Sequence, residues 1–166
     1  MALRFVSVLA ALLLLAACET STQGSGGASG SGGANQSSQL PGPRSGSAED
    51  FVVNVGDRVF FDFDKYNLKP QSREALQRQA VWLKKFPSVT VTVEGHCDER
   101  GTREYNLALG ERRANSVKNY LVALGVNPNR IKTISYGKER PAVTGSNEAA
   151  WSQNRRGVTV VNSVGS

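Results

Sequence analysis

From Glu19 to Asp50 the chain carries almost no apolar bulk. The stretch is built from Gly, Ser, Ala, Gln and Thr. Such a segment cannot bury enough surface to offset its chain entropy. Any hydrophobic core therefore has to come from the residues C-terminal to it, and the sequence places one folded domain at residues 51–166. The Gly/Ser-rich segment reads as a tether. About 30 residues of this composition span roughly 30 Å root-mean-square as a flexible coil. Fully stretched they reach on the order of 100 Å.

The first 17 residues have a different pattern. Met1 to Arg4 carries one positive charge, Phe5 to Leu15 is nearly unbroken apolar sequence, and Ala16-Ala17-Cys18 comes next. This is the layout of a secretory signal peptide. The apolar run is short of the roughly 20 residues a spanning helix needs, and a polar tail succeeds it without a basic cluster. Leu15-Ala16-Ala17-Cys18 resembles the lipobox of bacterial lipoproteins. That resemblance implies cleavage before Cys18, acylation of Cys18 (N-acyl and S-diacylglycerol) and a lipid-anchored mature protein. Several acyl chains, each contributing about 0.8 kcal/mol per buried CH₂, hold stably. Glu19, where an Asp would mark inner-membrane retention in the family, implies the outer membrane. The organisation is then a leader at 1–17, an acylated Cys and tether at 18–50, and a domain at 51–166.

Export constrains the rest. The formal net charge is +6. A basic balance suits polyanions, but an exported chain meets no nucleic acid, so the charge suits an anionic envelope polymer. The sequence has two cysteines. With Cys18 acylated, Cys97 has no partner, and no disulfide is expected.

Within the domain, Val59 to Phe63 reads as a strand with Val59, Phe61 and Phe63 on one face. Pro70 sits at a helix start; Leu76, Ala80 and Leu83 recur at helical spacing, and Pro87 ends the run. Val89 to Val93 alternates strictly, as a half-buried strand does. Leu107, Gly110, Ala114, Val117, Leu121 and Leu124 form one stripe of a long helix closing near Gly125. Arg130 to Tyr136 is a third strand, Glu148 to Gln153 a short helix, and Val158 and Val160 lie on a last strand. The order is β-α-β-α-β-(α)-β, an α+β fold with a sheet covered by helices.

The densest polar cluster is Gly95-His96-Cys97-Asp98-Glu99-Arg100-Gly101, between a strand and the long helix. Such loops carry sites on rigid scaffolds. On the helix, Asn106 and Arg113 stand seven residues apart, two turns and about 10 Å along the axis. Gly110 between them leaves room for a ligand. Asp98 and Arg113 can then present opposite charges to one cleft.

These segments, with Tyr105-Asn106-Leu107 and Leu109-Gly110-Glu111-Arg112-Arg113-Ala114, resemble the signature of OmpA-like peptidoglycan-binding domains. Phe61-Asp62-Phe63-Asp64-Lys65-Tyr66, Ser135-Tyr136-Gly137-Lys138-Glu139 and Asn154-Arg155-Arg156 extend the likeness, over Val59 to Val161, to the family of peptidoglycan-associated lipoproteins. The resemblance implies a mixed four-stranded sheet packed against two main helices. It implies non-covalent binding of the meso-diaminopimelate of the peptidoglycan stem peptide. Asp98 would take the ammonium and Arg113 the carboxylate, a fit a guanidinium fork makes well. Asn106, Asp64 and Tyr66 would line the pocket, with Arg155 and Arg156 as further contacts. It also implies TolB and other Tol proteins as partners, and roles in envelope integrity and in outer-membrane constriction at division. Cys97 departs from the family's small Ala or Thr.

Blander readings compete. His96 and Cys97, adjacent on a strand, point to opposite faces, so neither a metal site nor a Cys–His pair is expected, and Cys97 reads as a buried, inert thiol. Asp98 could cap the next turn or helix. Asp62 and Asp64 read as a polar strand face and loop, not an acid/base pair, which speaks against a hydrolase. Trp82 and Trp151 read as packing residues. A flagellar-stator-type anchor would need an uncleaved membrane helix, against the lipobox. No enzyme, cofactor or metal is expected.

Overall fold

The computed structural model describes residues 42–163. The leader, Cys18 and all but the end of the tether lie outside the described residues. Among the described residues no helix is long and apolar enough to cross a membrane.

The body begins earlier than Phe51. A short helix, α1 (Ala48–Asp50), is capped by the Ser47 hydroxyl and runs on as a π-turn over Phe51–Val55. Asp50 Oδ2 accepts from Gly46 N (2.8 Å) and from Trp82 Nε1 (2.9 Å). Residues 46–50, expected as the end of the tether, are therefore fastened onto a later helix. The polarity that marked them as tether is the polarity of a cap.

The remaining elements are β1 (Arg58–Phe60), α2 (Pro70–Lys85), β2 (Thr90–His96), α3 (Arg103–Ala123), β3 (Ile131–Gly137), α4 (Glu148–Asn154) and β4 (Arg156–Ser163). The sheet order is β1-β4-β2-β3. β4 pairs antiparallel with both β1 (Val59↔Gly157) and β2 (Val93↔Thr159), while β2 and β3 run parallel (Val93↔Thr133). This is the mixed four-stranded sheet with two main helices that the sequence implies.

The alternation Val91, Val93 turns one sheet face inward, where Leu76, Ala80 and Leu83 of α2 meet Ala114, Val117 and Leu121 of α3. Gln79 spans this core, donating to Gly56 O (2.8 Å) and accepting from Thr159 Oγ1 (2.9 Å). Trp82 lies between Phe51 and Phe86, 4.8 Å from each ring centre. It is the packing residue expected.

Two readings need correction. β1 ends at Phe60, because the chain turns where Lys65 N bonds Asp62 O (3.2 Å). The strand alternation stops there: Phe61 is buried, but Phe63 is 56% exposed. Conversely, β2 continues to His96, so Gly95 and His96 belong to the strand and not to the loop.

Candidate functional site

The end of β2, the loop to α3, the first turns of α3 and the turn after β1 enclose a cavity of about 160 Å³. Its walls include Asp64, Asp98, Asn106 and Arg113, together with Phe63, Cys97, Arg100, Gly101, Tyr105 and Leu109. Four of the five side chains expected at a ligand are thus brought together. Tyr66 is not among them. It faces a neighbouring groove with Asn67, Leu68, Arg73, Ser116, Asn119 and Tyr120, because the turn at Asp64 carries the chain over the rim. Asp64 itself has a φ of 55°, a left-handed conformation that Asp tolerates better than most residues. Its carboxylate accepts from the Tyr105 hydroxyl, which ties the turn to α3.

Gly110 has a different duty from the one expected. A Cβ there would stand 2.2 Å from Ser135 Oγ and 2.9 Å from Gly95 O. Gly110 clears the way for the sheet, not for a ligand. With the helix pressed onto the strands, Arg113 crosses under the cavity. Its Nε donates to Lys65 O (2.8 Å), Nη1 to His96 O (2.8 Å) and Nη2 to Asp62 O (3.1 Å). Arg113 is fully buried, and burial holds its pKa below the usual guanidinium value. Among the described residues no carboxylate forms an ion pair with it. Three of its five N–H donors are used by backbone carbonyls, and the guanidinium also meets the Cys97 thiol.

Asp98 is buried beside it. Burial raises its pKa, but the Arg100 side chain and backbone N–H and the Arg155 guanidinium outweigh this, and the net shift is downward. Asp98 Oδ2 meets Arg100 Nη2 at 2.5 Å and Arg155 Nη1 at 3.3 Å; Oδ1 accepts from Arg100 N (3.2 Å) and Nε (3.1 Å). The carboxylate does close a turn, through Arg100 N, but the cap of α3 is Thr102, which accepts from Tyr105 N.

Asn106 is buried and builds the loop, with Nδ2 donating to Arg100 O (2.8 Å) and Thr102 O (3.0 Å). Arg155 backs Asp98 while also holding Glu148 and Phe61 O. Arg156 bonds the carbonyls of Asn154 and Arg140 and does not line the cavity.

Cys97 lines the cavity wall, donating from Sγ to Asn106 O (3.4 Å); burial pushes its thiol up to about 11, so it stays neutral. His96 is buried against Tyr136, with Nε2 3.3 Å from Glu94 Oε2. Its pKa falls to about 4, through burial and the charge of Arg156. Asp62 pairs with Lys69 (3.2 Å) and Asp64 with Tyr105, so they do not form a carboxylate couple. Among the described residues no three His, Cys, Asp or Glu side chains converge as a metal site.

Arg100, Phe63 and Tyr105 also line the cavity, although nothing in the sequence singled them out as ligand-facing. The available signal was an Arg two places after Asp98 in a short loop, close enough to fold back on it. The Phe63 contact comes from a turn that strand alternation hides.

The OmpA family sequence profile matches residues 60–155. The chain belongs to the OmpA family. Within it, the chain is 56% identical over 121 residues to the peptidoglycan-associated lipoprotein of Rhizobium meliloti, covering 73% of this chain and 69% of that one. It is 49% identical over 155 residues to the peptidoglycan-associated lipoprotein of Agrobacterium fabrum, covering 92% and 84%. Its fold matches the crystal structure of the peptidoglycan-associated lipoprotein from Burkholderia pseudomallei, with a TM-score of 0.63 at 44% identity over 64% of this chain and 90% of that one. The C-terminal domain of Helicobacter pylori MotB shares the fold alone, at 24% identity and a TM-score of 0.61 over 64% and 84%. None of these names is that of an enzyme.

Proposed function

We propose that this protein is an outer-membrane lipoprotein that grips peptidoglycan through the meso-diaminopimelate of the stem peptide. It is a binding module and not an enzyme. Acyl chains on Cys18 anchor it, and the tether lets the domain reach the wall from the periplasmic side. The observation that carries the reading is Arg113. A guanidinium that is fully buried, held by three backbone carbonyls and, among the described residues, in no carboxylate ion pair is desolvated in advance and suited to an anion. A buried cation of this kind gains most from a charge-assisted partner. Asp98 lines the same small cavity and supplies the opposite charge. A ligand group with an ammonium and a carboxylate on one carbon matches both. The side-chain end of meso-diaminopimelate has that form. The names of the relatives, which place a lipoprotein with peptidoglycan, support the polymer.

The partner reading comes from the family likeness: TolB and other Tol proteins would share this surface, and the protein would serve envelope integrity and outer-membrane constriction at division. Co-sedimentation with purified sacculi tests the wall reading. Sacculi carrying meso-diaminopimelate should pellet the protein, and sacculi carrying Lys at that position should leave it in solution. Equal pelleting with both would refute the choice of ligand.

A further inference from the structure

The place on Asp98 where a ligand ammonium would sit is already taken. Arg100 lays its guanidinium along the carboxylate, with Nη2 2.5 Å from Oδ2 and Nε 3.1 Å from Oδ1. The Phe63 ring lies 3.9 Å from its central carbon and the Trp151 ring 4.0 Å. Trp151 is fixed by donation from Nε1 to Glu99 Oε1 (3.0 Å). The two rings give a cation a site of their own.

A carboxylate has about four lone-pair positions. All four on Asp98 are filled: two by Arg100 side-chain nitrogens, one by Arg100 N, one by Arg155. An incoming ammonium must displace one of them. Arg155 is buried and also tied to Glu148 and Phe61 O, and the backbone N–H is part of the loop. The Arg100 side chain is 31% exposed. It is the one donor group free to leave.

We propose that Arg100 is a displaceable stand-in for the ligand's ammonium and a specificity-determining residue of the cavity. This rests on the reading of Asp98 and Arg113 as the two anchors of a zwitterionic ligand. A ligand that brings its own cation replaces the charge it removes from Asp98. A ligand with a carboxylate alone brings no cation to Asp98 and so has nothing with which to replace Arg100 there. The closed arrangement also lowers apparent affinity by the fraction of molecules in which Arg100 has swung out.

The test uses the full chain and its Arg100→Gln variant, titrated with a stem peptide ending in meso-diaminopimelate and with the same peptide ending in Lys. Removing the competing guanidinium should tighten binding of the first peptide about tenfold, or 1.4 kcal/mol. The Lys peptide, which brings an ammonium without the carboxylate, should gain detectable binding. Tryptophan emission gives a second readout. In the wild type it should shift on binding as the guanidinium leaves Trp151. The shift should be absent in Arg100→Gln and in Trp151→Phe. Unchanged or weaker binding by Arg100→Gln, or no emission change at saturation in the wild type, would show that Arg100 is a fixed wall and overturn the proposal. Failure of the wild type to bind the first peptide at all would instead remove the ligand reading, and this proposal with it.

Discussion

The carbonyl oxygen of Gly110 lies 1.8 Å from where a Cβ on Gly95 would stand. Helix α3 and strand β2 therefore touch backbone to backbone, and Arg113, less than one turn beyond Gly110, is set against the end of the strand. Any side chain at Gly95 must push the helix away. Gly95→Ala should cost more than the usual 1–3 kcal/mol of overpacking, because the obstacle is backbone. Gly110→Ala should cost less, since its closest obstacle is the Ser135 hydroxyl. Urea unfolding of the two variants gives the order; equal and small losses would contradict the contact.

Phe51 lies upstream of the family-matched residues yet is completely buried against Trp82. Phe51→Ala should destabilise the domain by about 3–5 kcal/mol, as deletion of a core aromatic does. Urea denaturation measures it, and a loss under about 1 kcal/mol would mean the N-terminal turn is an appendage.

Arg113→Lys separates holding from binding. One ammonium cannot reach all three carbonyls that the guanidinium bridges, and carbonyls left unpaired cost about 1–3 kcal/mol each when buried. The Asp62 and Lys65 carbonyls lie in a turn near water, so the expected loss is about 1–3 kcal/mol in all. The variant should fold, with faster hydrogen exchange in residues 62–66 and at least tenfold weaker binding of the diaminopimelate peptide.

His96 should make stability depend on pH. Its folded pKa, about 4, lies below the ordinary 6.5. The unfolded chain therefore binds the proton more readily between those values, and stability rises with pH there. The contribution is complete above about 6.5 and is lost as pH falls toward 4. At 1.36 kcal/mol per unit the ceiling is about 3 kcal/mol. His96→Gln should flatten the unfolding free energy between pH 6.5 and 4; a profile parallel to the wild type would rule His96 out.

The alternation at Val91 and Val93 and the 3–4 spacing of Ala114, Val117 and Leu121 made the sheet and long helix legible, because periodic burial leaves a periodic trace. The spacing of Asn106 and Arg113 likewise put both on the cavity side of one helix. Three things left no such trace. Phe63 obeys the alternation of Val59 and Phe61, but a turn at Asp62–Lys65 removes it from the strand. Gly110 reads equally as space for a ligand or for a backbone, and only the distance to Gly95 decides. Arg100 pairs with Asp98 through a loop conformation that no period encodes, so this contact shows only in three dimensions.

Peptidoglycan recognition by this domain stands or falls on Asp98 and Arg113 together receiving the zwitterionic end of meso-diaminopimelate. Calorimetric titration of the protein and its Asp98→Asn variant with three stem peptides decides it. One peptide ends in meso-diaminopimelate, one lacks only its terminal ammonium, and one lacks only its terminal carboxylate. The wild type should bind the first alone, and Asp98→Asn should bind it at least tenfold more weakly with the fold intact by circular dichroism. Equal binding of all three peptides, or a folded Asp98→Asn variant that binds as tightly as the wild type, would contradict the shared role of the two residues.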